Sequence, residues 1–153
     1  MKKISIYIDT SVIGGYFDQE FESETRELFE KVRNNEYYLI LSDITERELL
    51  GAPEHVKMLI KNLGLSYEIV ETSTEVNMLA EEYLHEKVVG ETSKDDCLHI
   101  AVATINKVDI LVSWNFKHIV NMKRIRGYNA INIKNGYSTL EIRSPKDLIE
   151  YEE

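Results

Sequence analysis

Ile4-Ser5-Ile6-Tyr7-Ile8-Asp9-Thr10-Ser11 is the stretch that decides the fold. A short apolar run of strand character ends abruptly in an acid and two hydroxyl residues. Asp and Ser are the residue types that cap a helix, so the run predicts a strand feeding a helix that starts near Val12. The same alternation continues outward. Phe21, Thr25, Leu28, Phe29 and Val32 recur at helical spacing and predict an amphipathic helix over about Glu20–Asn34. Tyr37–Leu41 reads as a second strand, with Ser42 or Asp43 capping a helix from near Ile44. Gly51-Ala52-Pro53 breaks that helix, His55–Asn62 reads as another, and Gly64 stops it. Tyr67–Val70 is a third strand. Ser73 or Thr74 caps a helix carrying Val76, Leu79, Ala80, Tyr83, Leu84 and Val88, followed by a loop over Gly90–Lys94. Asp95–Asn106 reads as a buried helix, Ile110–Ser113 as the fourth strand and Ala130–Ile133 as the fifth, and Ser144-Pro145 opens a last helix. Short apolar strands separated by helices predict an α/β fold with a parallel sheet covered on both faces.

Three acids stand at the ends of these runs. Asp9 closes the first strand, Glu48 follows the second in Thr45-Glu46-Arg47-Glu48-Leu49-Leu50, and Asp96 opens the helix before the fourth. In a parallel sheet the strand C-termini converge on one edge, and ligands bind in the crevice outside it. Carboxylates gathered there repel one another unless a cation lies between them. Hard divalent ions such as Mg²⁺ and Mn²⁺ prefer such oxygen ligands, so the pattern predicts a metal-dependent hydrolase.

Composition narrows the class. Of the 153 residues, 43% are hydrophobic and 29% charged, ordinary for a soluble globular domain. Without repeats or Pro/Gly-rich linkers, residues 1–153 read as a single domain. No run approaches the ~20 apolar residues that span a bilayer, so no membrane association is expected. The run behind Met1-Lys2-Lys3 stops at Asp9, too early for a signal peptide. The single Cys97 excludes an intrachain disulfide and fits a reducing cytoplasm. A net charge of −9 argues against a general nucleic-acid coat protein. It leaves room for a nucleic-acid enzyme, because bound divalent ions reverse the local sign.

Four pieces resemble the PIN-domain proteins, and among them the VapC-type toxin ribonucleases. They are Ile8-Asp9-Thr10-Ser11; Ser42-Asp43-Ile44-Thr45-Glu46-Arg47-Glu48-Leu49; Asp96-Cys97-Leu98-His99-Ile100-Ala101; and Leu111-Val112-Ser113-Trp114-Asn115 with Phe116-Lys117-His118. They occur in the family's order from Ile4 to His118, and the tail from Leu140 to Ile149 is also similar. The resemblance implies a three-layer α/β/α PIN-like fold with a central five-stranded parallel sheet. It implies cleavage of single-stranded RNA with Mg²⁺ or Mn²⁺, leaving 5′-phosphate and 3′-hydroxyl ends. It also implies homodimerisation and an antitoxin protein as partner. The family's acidic positions fall on Asp9, Glu48 and Asp96, and the fourth on Asn115, which brings a carbonyl oxygen but no charge. These four are the expected metal and catalytic residues.

Each has a duller reading. Asp9 can simply cap the following helix. Thr10 and Ser11 read as capping or orienting groups, with a direct phosphate or metal contact at Ser11 the alternative. Glu46 and Glu48 lie about 200° apart on a helix, so only one can face the site while Leu49 and Leu50 face the core. Asp95 reads as a cap beside Asp96 or as a group that supports the site ligands from behind, His99 as a hydrogen-bonded core histidine, and Cys97 as core. Lys117, His118, Lys123, Arg124 and Arg126 form the one concentrated basic stretch, and either bind an RNA backbone or make a solvated helix face. Two rival functions remain. One is a phosphatase with Asp9 as nucleophile, disfavoured because Ser11 stands where a second acid belongs. The other is a catalytically weak RNA-binding or regulatory module, its metal affinity reduced by Asn115. Apolar residues around Val56–Ile60 and Val76–Leu84 exceed what five short strands cover, which predicts an exposed patch for a dimer or antitoxin.

Overall fold

The computed structural model describes residues 3–86 and 92–149. The expectations for Val88 and for Gly90 and Glu91 of the Gly90–Lys94 loop fall outside the described residues. The sheet contains β1 (Ile4–Ile8), β2 (Tyr37–Ser42), β3 (Glu68–Val70), β4 (Ile110–Val112) and β5 (Glu141–Arg143). Their order is β3-β2-β1-β4-β5 and every neighbouring pair is parallel. The chain moves outward from β1 to β3, then crosses to the other side of β1 for β4 and β5. Strand order therefore reverses between β1 and β4, which is where the crevice of an open parallel sheet forms.

Side chains leave the two faces alternately, and both faces are buried. Ile6, Ile8, Leu39, Leu41 and Val112 pack with Leu28, Phe29 and Val32 of α2 (Glu22–Arg33) and Leu148 of α9 (Pro145–Ile149). Tyr7, Ile40, Val70, Leu111 and Ile142 face the other layer. That layer is α6 (Thr74–Glu86), α7 (Lys94–Ile105) and α8 (Met122–Lys134). The three-layer arrangement is the predicted one. Between β1 and α2 lies α1 (Thr10–Gly15), and α3 (Asp43–Leu49) follows β2. Ser42 caps α3, Ser73 caps α6 and Ser93 caps α7 through their hydroxyls, each accepting from a first-turn N–H. At α9, Asp147 Oδ2 accepts from both the N–H and the hydroxyl of Ser144 behind Pro145, one half of a capping box.

The structure corrects four expectations. Ala130–Ile133 is not a strand but part of α8. Ile131 is 3% exposed and Ile133 is 62% exposed. A strand would have put both on one face, whereas a helix puts them about 200° apart. Tyr128 and Ile131 share the helical face, and Asn121 caps its start. The fifth strand is Glu141–Arg143, whose exposed-buried-exposed pattern offers only Ile142 to the core. The helix predicted over His55–Asn62 is two single turns, α4 (Glu54–Lys57) and α5 (Leu59–Asn62). They are separated at Met58, whose φ of −91° and ψ of 0° leave the helical well. Gly64 at φ +66° ends this segment as predicted. Leu50 is 75% exposed rather than core-facing, because it lies past the end of α3. Finally, Val76, Leu79, Ala80, Tyr83, Leu59 and Ile60 are covered by the chain's own layers, which leaves Met78, 66% exposed, as the large apolar side chain of these two segments most open to solvent.

Candidate active site

β1 places Tyr7 and Asp9 two residues apart, on the α7 side of the sheet at its C-terminal edge. Parallel register puts Ser113, just past β4, beside Asp9, and Asp9 N–H donates to Val112 O at 3.3 Å. Asp9 is buried. Ser11 Oγ donates to its Oδ1 at 2.6 Å, Ser113 Oγ donates to its Oδ2 at 2.6 Å, and Val12 N–H donates to Oδ1 at 3.3 Å. Asp9 is thus both a helix cap and the centre of a hydroxyl cradle. Burial pushes its carboxyl above the usual carboxylate range, against the opposing pull of His99 and the three donors.

Glu48, in the last turn of α3, faces Asp9's neighbour. Thr10 Oγ1 donates to Glu48 Oε1 at 2.8 Å, and His99 Nε2 lies 2.6 Å from the same oxygen. Burial pushes Glu48 up, but the hydrogen bonds from His99 and Thr10, with the Arg47 charge, outweigh it and hold the carboxyl below its usual range. Glu46 is exposed, whereas Glu48 is half-buried against Thr10 and His99. His99 is a buried histidine bonded on both sides, since its Nδ1 lies 2.5 Å from Tyr7 Oη. Tyr7 Oη in turn lies 2.7 Å from Ser42 Oγ.

Asp96 begins α7, one helical turn before His99. Ser93 caps its backbone N–H, and Thr92 Oγ1 reaches its Oδ2 at 3.4 Å. Asp95 is not the cap. It pairs with Arg47 at 2.5 Å and ties the start of α7 to α3. Asn115 accepts the His118 N–H at Oδ1 (2.9 Å), and its own N–H donates to Ser113 Oγ. The structure therefore holds Asp9 through Ser11 and Ser113, holds Glu48 through Thr10, the residue next to Asp9, and through His99, and sets Asn115 beside Ser113. Among the described residues, no group of three or more His, Cys, Asp or Glu side chains lies close enough to hold a metal ion. The all-oxygen donor set suits a hard divalent ion in kind. Glu48 Oε2 and Asp96 Oδ1 accept no hydrogen bond from a described residue, leaving two carboxylate oxygens open to one.

Ser11 Oγ already donates to Asp9 and accepts the Trp114 N–H at 2.9 Å, so it orients the site from within. Lys117, Lys123 and Arg126 are exposed and Arg124 is half-buried. Arg124 Nη1 and His118 Nδ1 are buried without a hydrogen-bond partner. Cys97 is buried and its thiol is pushed up to about 12, chiefly by desolvation, which makes it core and not a nucleophile. Sequence reasoning missed Tyr7 and Ser113. The signal for both was parity: Tyr7 lies two residues before Asp9, and Ser113 two residues after Leu111, on the α7 face.

No family model and no curated protein matches the sequence. Solved structures do. FitAcB from Neisseria gonorrhoeae aligns at a TM-score of 0.60 and 17% identity, over 92% of this chain and 98% of that one. VapBC2 from Rickettsia felis, solved bound to a DNA fragment from its promoter, aligns at 0.58 and 16%, over 92% and 98%. VapC20 from Mycobacterium tuberculosis, described as a sarcin-ricin loop cleaving toxin, aligns at 0.58 and 13%, over 74% and 92%. At these identities the likeness establishes the fold: the chain shares the PIN-like architecture of these neighbours.

Proposed function

We propose that the chain is a Mg²⁺- or Mn²⁺-dependent endoribonuclease acting on single-stranded RNA. The observation that carries this reading is a buried Asp9 at the point where strand order reverses, with half-buried Glu48 bonded to its neighbour Thr10. Asp9, Glu48 and Asp96 would hold the ion, with Asn115 contributing an amide oxygen directly or through water. When bound, a divalent ion supplies Lewis acidity, activating water near neutral pH and balancing charge on the phosphoryl oxygens. The chain's own residues do the rest. Ser11 and Ser113 fix both oxygens of Asp9, while Thr10 and His99 hold Glu48 ionised.

Cations at the start of α8 support RNA as substrate. Lys123, Arg124 and Arg126 lie in its first turns, with no acid in the first turn. Cations there oppose the helix dipole, a cost of roughly 0.3–1 kcal/mol each at low salt. A bound phosphate backbone would reverse that sign. The VapC20 neighbour is described as a sarcin-ricin loop cleaving toxin, and another neighbour is a toxin-antitoxin complex from Klebsiella pneumoniae. By that analogy the chain is the toxin of such a pair, with an antitoxin protein as partner and a homodimer as its assembly. No described helix is long and apolar enough to cross a membrane, and the reduced Cys97 suits a cytoplasmic setting.

A second reading, a catalytically weak RNA-binding or regulatory module, is favoured by Asn115, whose side-chain oxygen already accepts the His118 N–H. One assay separates them. RNA cleavage should stop in excess chelator and return with Mn²⁺. Cleavage that persists without metal sinks the mechanism, and RNA binding with no cleavage in any metal selects the second reading.

A further inference from the structure

We propose that Tyr7 and His99 are positioning residues that orient the Glu48 carboxylate through one directional chain of hydrogen bonds from Ser42. The inference rests on Glu48 being a site carboxylate. The direction follows from donor counting. Ser42 Oγ accepts from Ile44 N–H at 3.2 Å and Thr45 N–H at 3.4 Å, so its own proton is available for Tyr7 Oη at 2.7 Å. Tyr7 then donates to His99 Nδ1 at 2.5 Å, which leaves the proton on Nε2, 2.6 Å from Glu48 Oε1. Thr10 supplies the second donor to the same oxygen.

Every link comes from a different element: the end of β2, β1, α7 and the last turn of α3. Tyr7, Ser42 and His99 are each at most 2% exposed. A polar chain this deep is stable only if each member is satisfied, and a reversed imidazole would leave Glu48 facing an unprotonated nitrogen. Because Oε1 carries both donors, Oε2 is the oxygen left to face the crevice. Tyr7 is the lever: two residues before Asp9 on the same strand, it couples the placement of the two carboxylates.

Two amide substitutions separate this role from simple packing. Asn at 99 places its amide near Nδ1 and can still meet Tyr7, but does not reach Glu48. Gln places its amide near Nε2 and can donate to Glu48. Loss of a group that orients a ligand typically costs 10–100-fold in metal affinity or activity, so His99→Asn should lower kcat and Mn²⁺ affinity by roughly tenfold or more, with KM for RNA held. His99→Gln should restore both to within about threefold of the parent. Tyr7→Phe should resemble His99→Asn in milder form. In the metal-free parent, nitrogen NMR should show His99 protonated at Nε2, with slow proton exchange that becomes fast in Glu48→Ala. Equal losses in His99→Asn and His99→Gln, or a proton on Nδ1, overturn the proposal. A parent that neither binds Mn²⁺ nor cuts RNA defeats the functional reading alone, and the imidazole signature then decides the relay by itself.

Discussion

Adjacent glycines in α1 should respond in opposite directions to the same methyl group. A Cβ on Gly15 would lie 2.8 Å from both Cδ1 and Nε1 of Trp114 and 3.0 Å from Thr25 Oγ1. The indole has little room to retreat: it stacks on Phe21 at 4.2 Å, and its Nε1–H donates to Thr25 Oγ1 at 2.8 Å. Overpacking of this kind costs about 1–3 kcal/mol, and loosening the indole hydrogen bond adds about 1 kcal/mol. The better helix propensity of Ala returns about 1 kcal/mol, so Gly15→Ala should destabilise by about 1–3 kcal/mol. At Gly14 a Cβ meets nothing within 4 Å, so Gly14→Ala should stabilise by about 0.4–1 kcal/mol. Urea unfolding followed by fluorescence reads both, since Trp114 is the chain's single tryptophan. The emission of folded Gly15→Ala should itself change as the ring shifts. Because Trp114 precedes Asn115, that variant should also lose activity. Equal midpoints for the two alanine variants would refute the packing of α1 against the end of β4.

Asp9, with its pKa raised by burial, favours folding below its ordinary range near 3.8, and that contribution is lost as pH rises through its folded value. Metal-free Asp9→Asn should therefore be more stable than the parent at pH 7, with the gain vanishing near pH 3; a gain constant across this window would contradict the burial argument. Glu48 has the opposite sign: its depressed pKa favours folding above 4.5 and that is lost as pH falls, so Glu48→Gln should destabilise at neutral pH in the same melts. Replacing Lys123, Arg124 and Arg126 together by Ala should weaken RNA binding and lower the salt slope by up to about 2–3 counterions. An unchanged slope returns α8 to a solvated face. Light scattering at micromolar concentration should give twice the 17.8 kDa chain mass if the homodimer is stable, and a value near 17.8 kDa excludes it.

The sequence by itself determined the layering and the polarity of the site. Strand runs such as Ile4–Ile8, buried on both faces, and hydroxyls at Ser42, Ser73, Ser93 and Ser144 are local signals. Their physics is propensity, capping and periodicity within a few residues, and they placed Asp9 and Glu48 on one edge. Tertiary structure alone decided the rest. Ala130–Ile133 is strand-like in composition, yet the slot beside β4 went to Glu141–Arg143, because edge pairing needs only one buried residue while Tyr128 and Ile131 needed a helical face. The apolar patch inferred from Val76–Leu84 is smaller than counted, since α6 packs on α7 and α8 and buries Val76, Leu79, Ala80 and Tyr83, residues that counting against five strands leaves over. Tyr7, read as one more apolar strand residue, became the partner of His99, 92 positions away. A hydrogen bond between distant positions leaves no period or cap in the sequence; only the packing of β1 against α7 brings its two ends together.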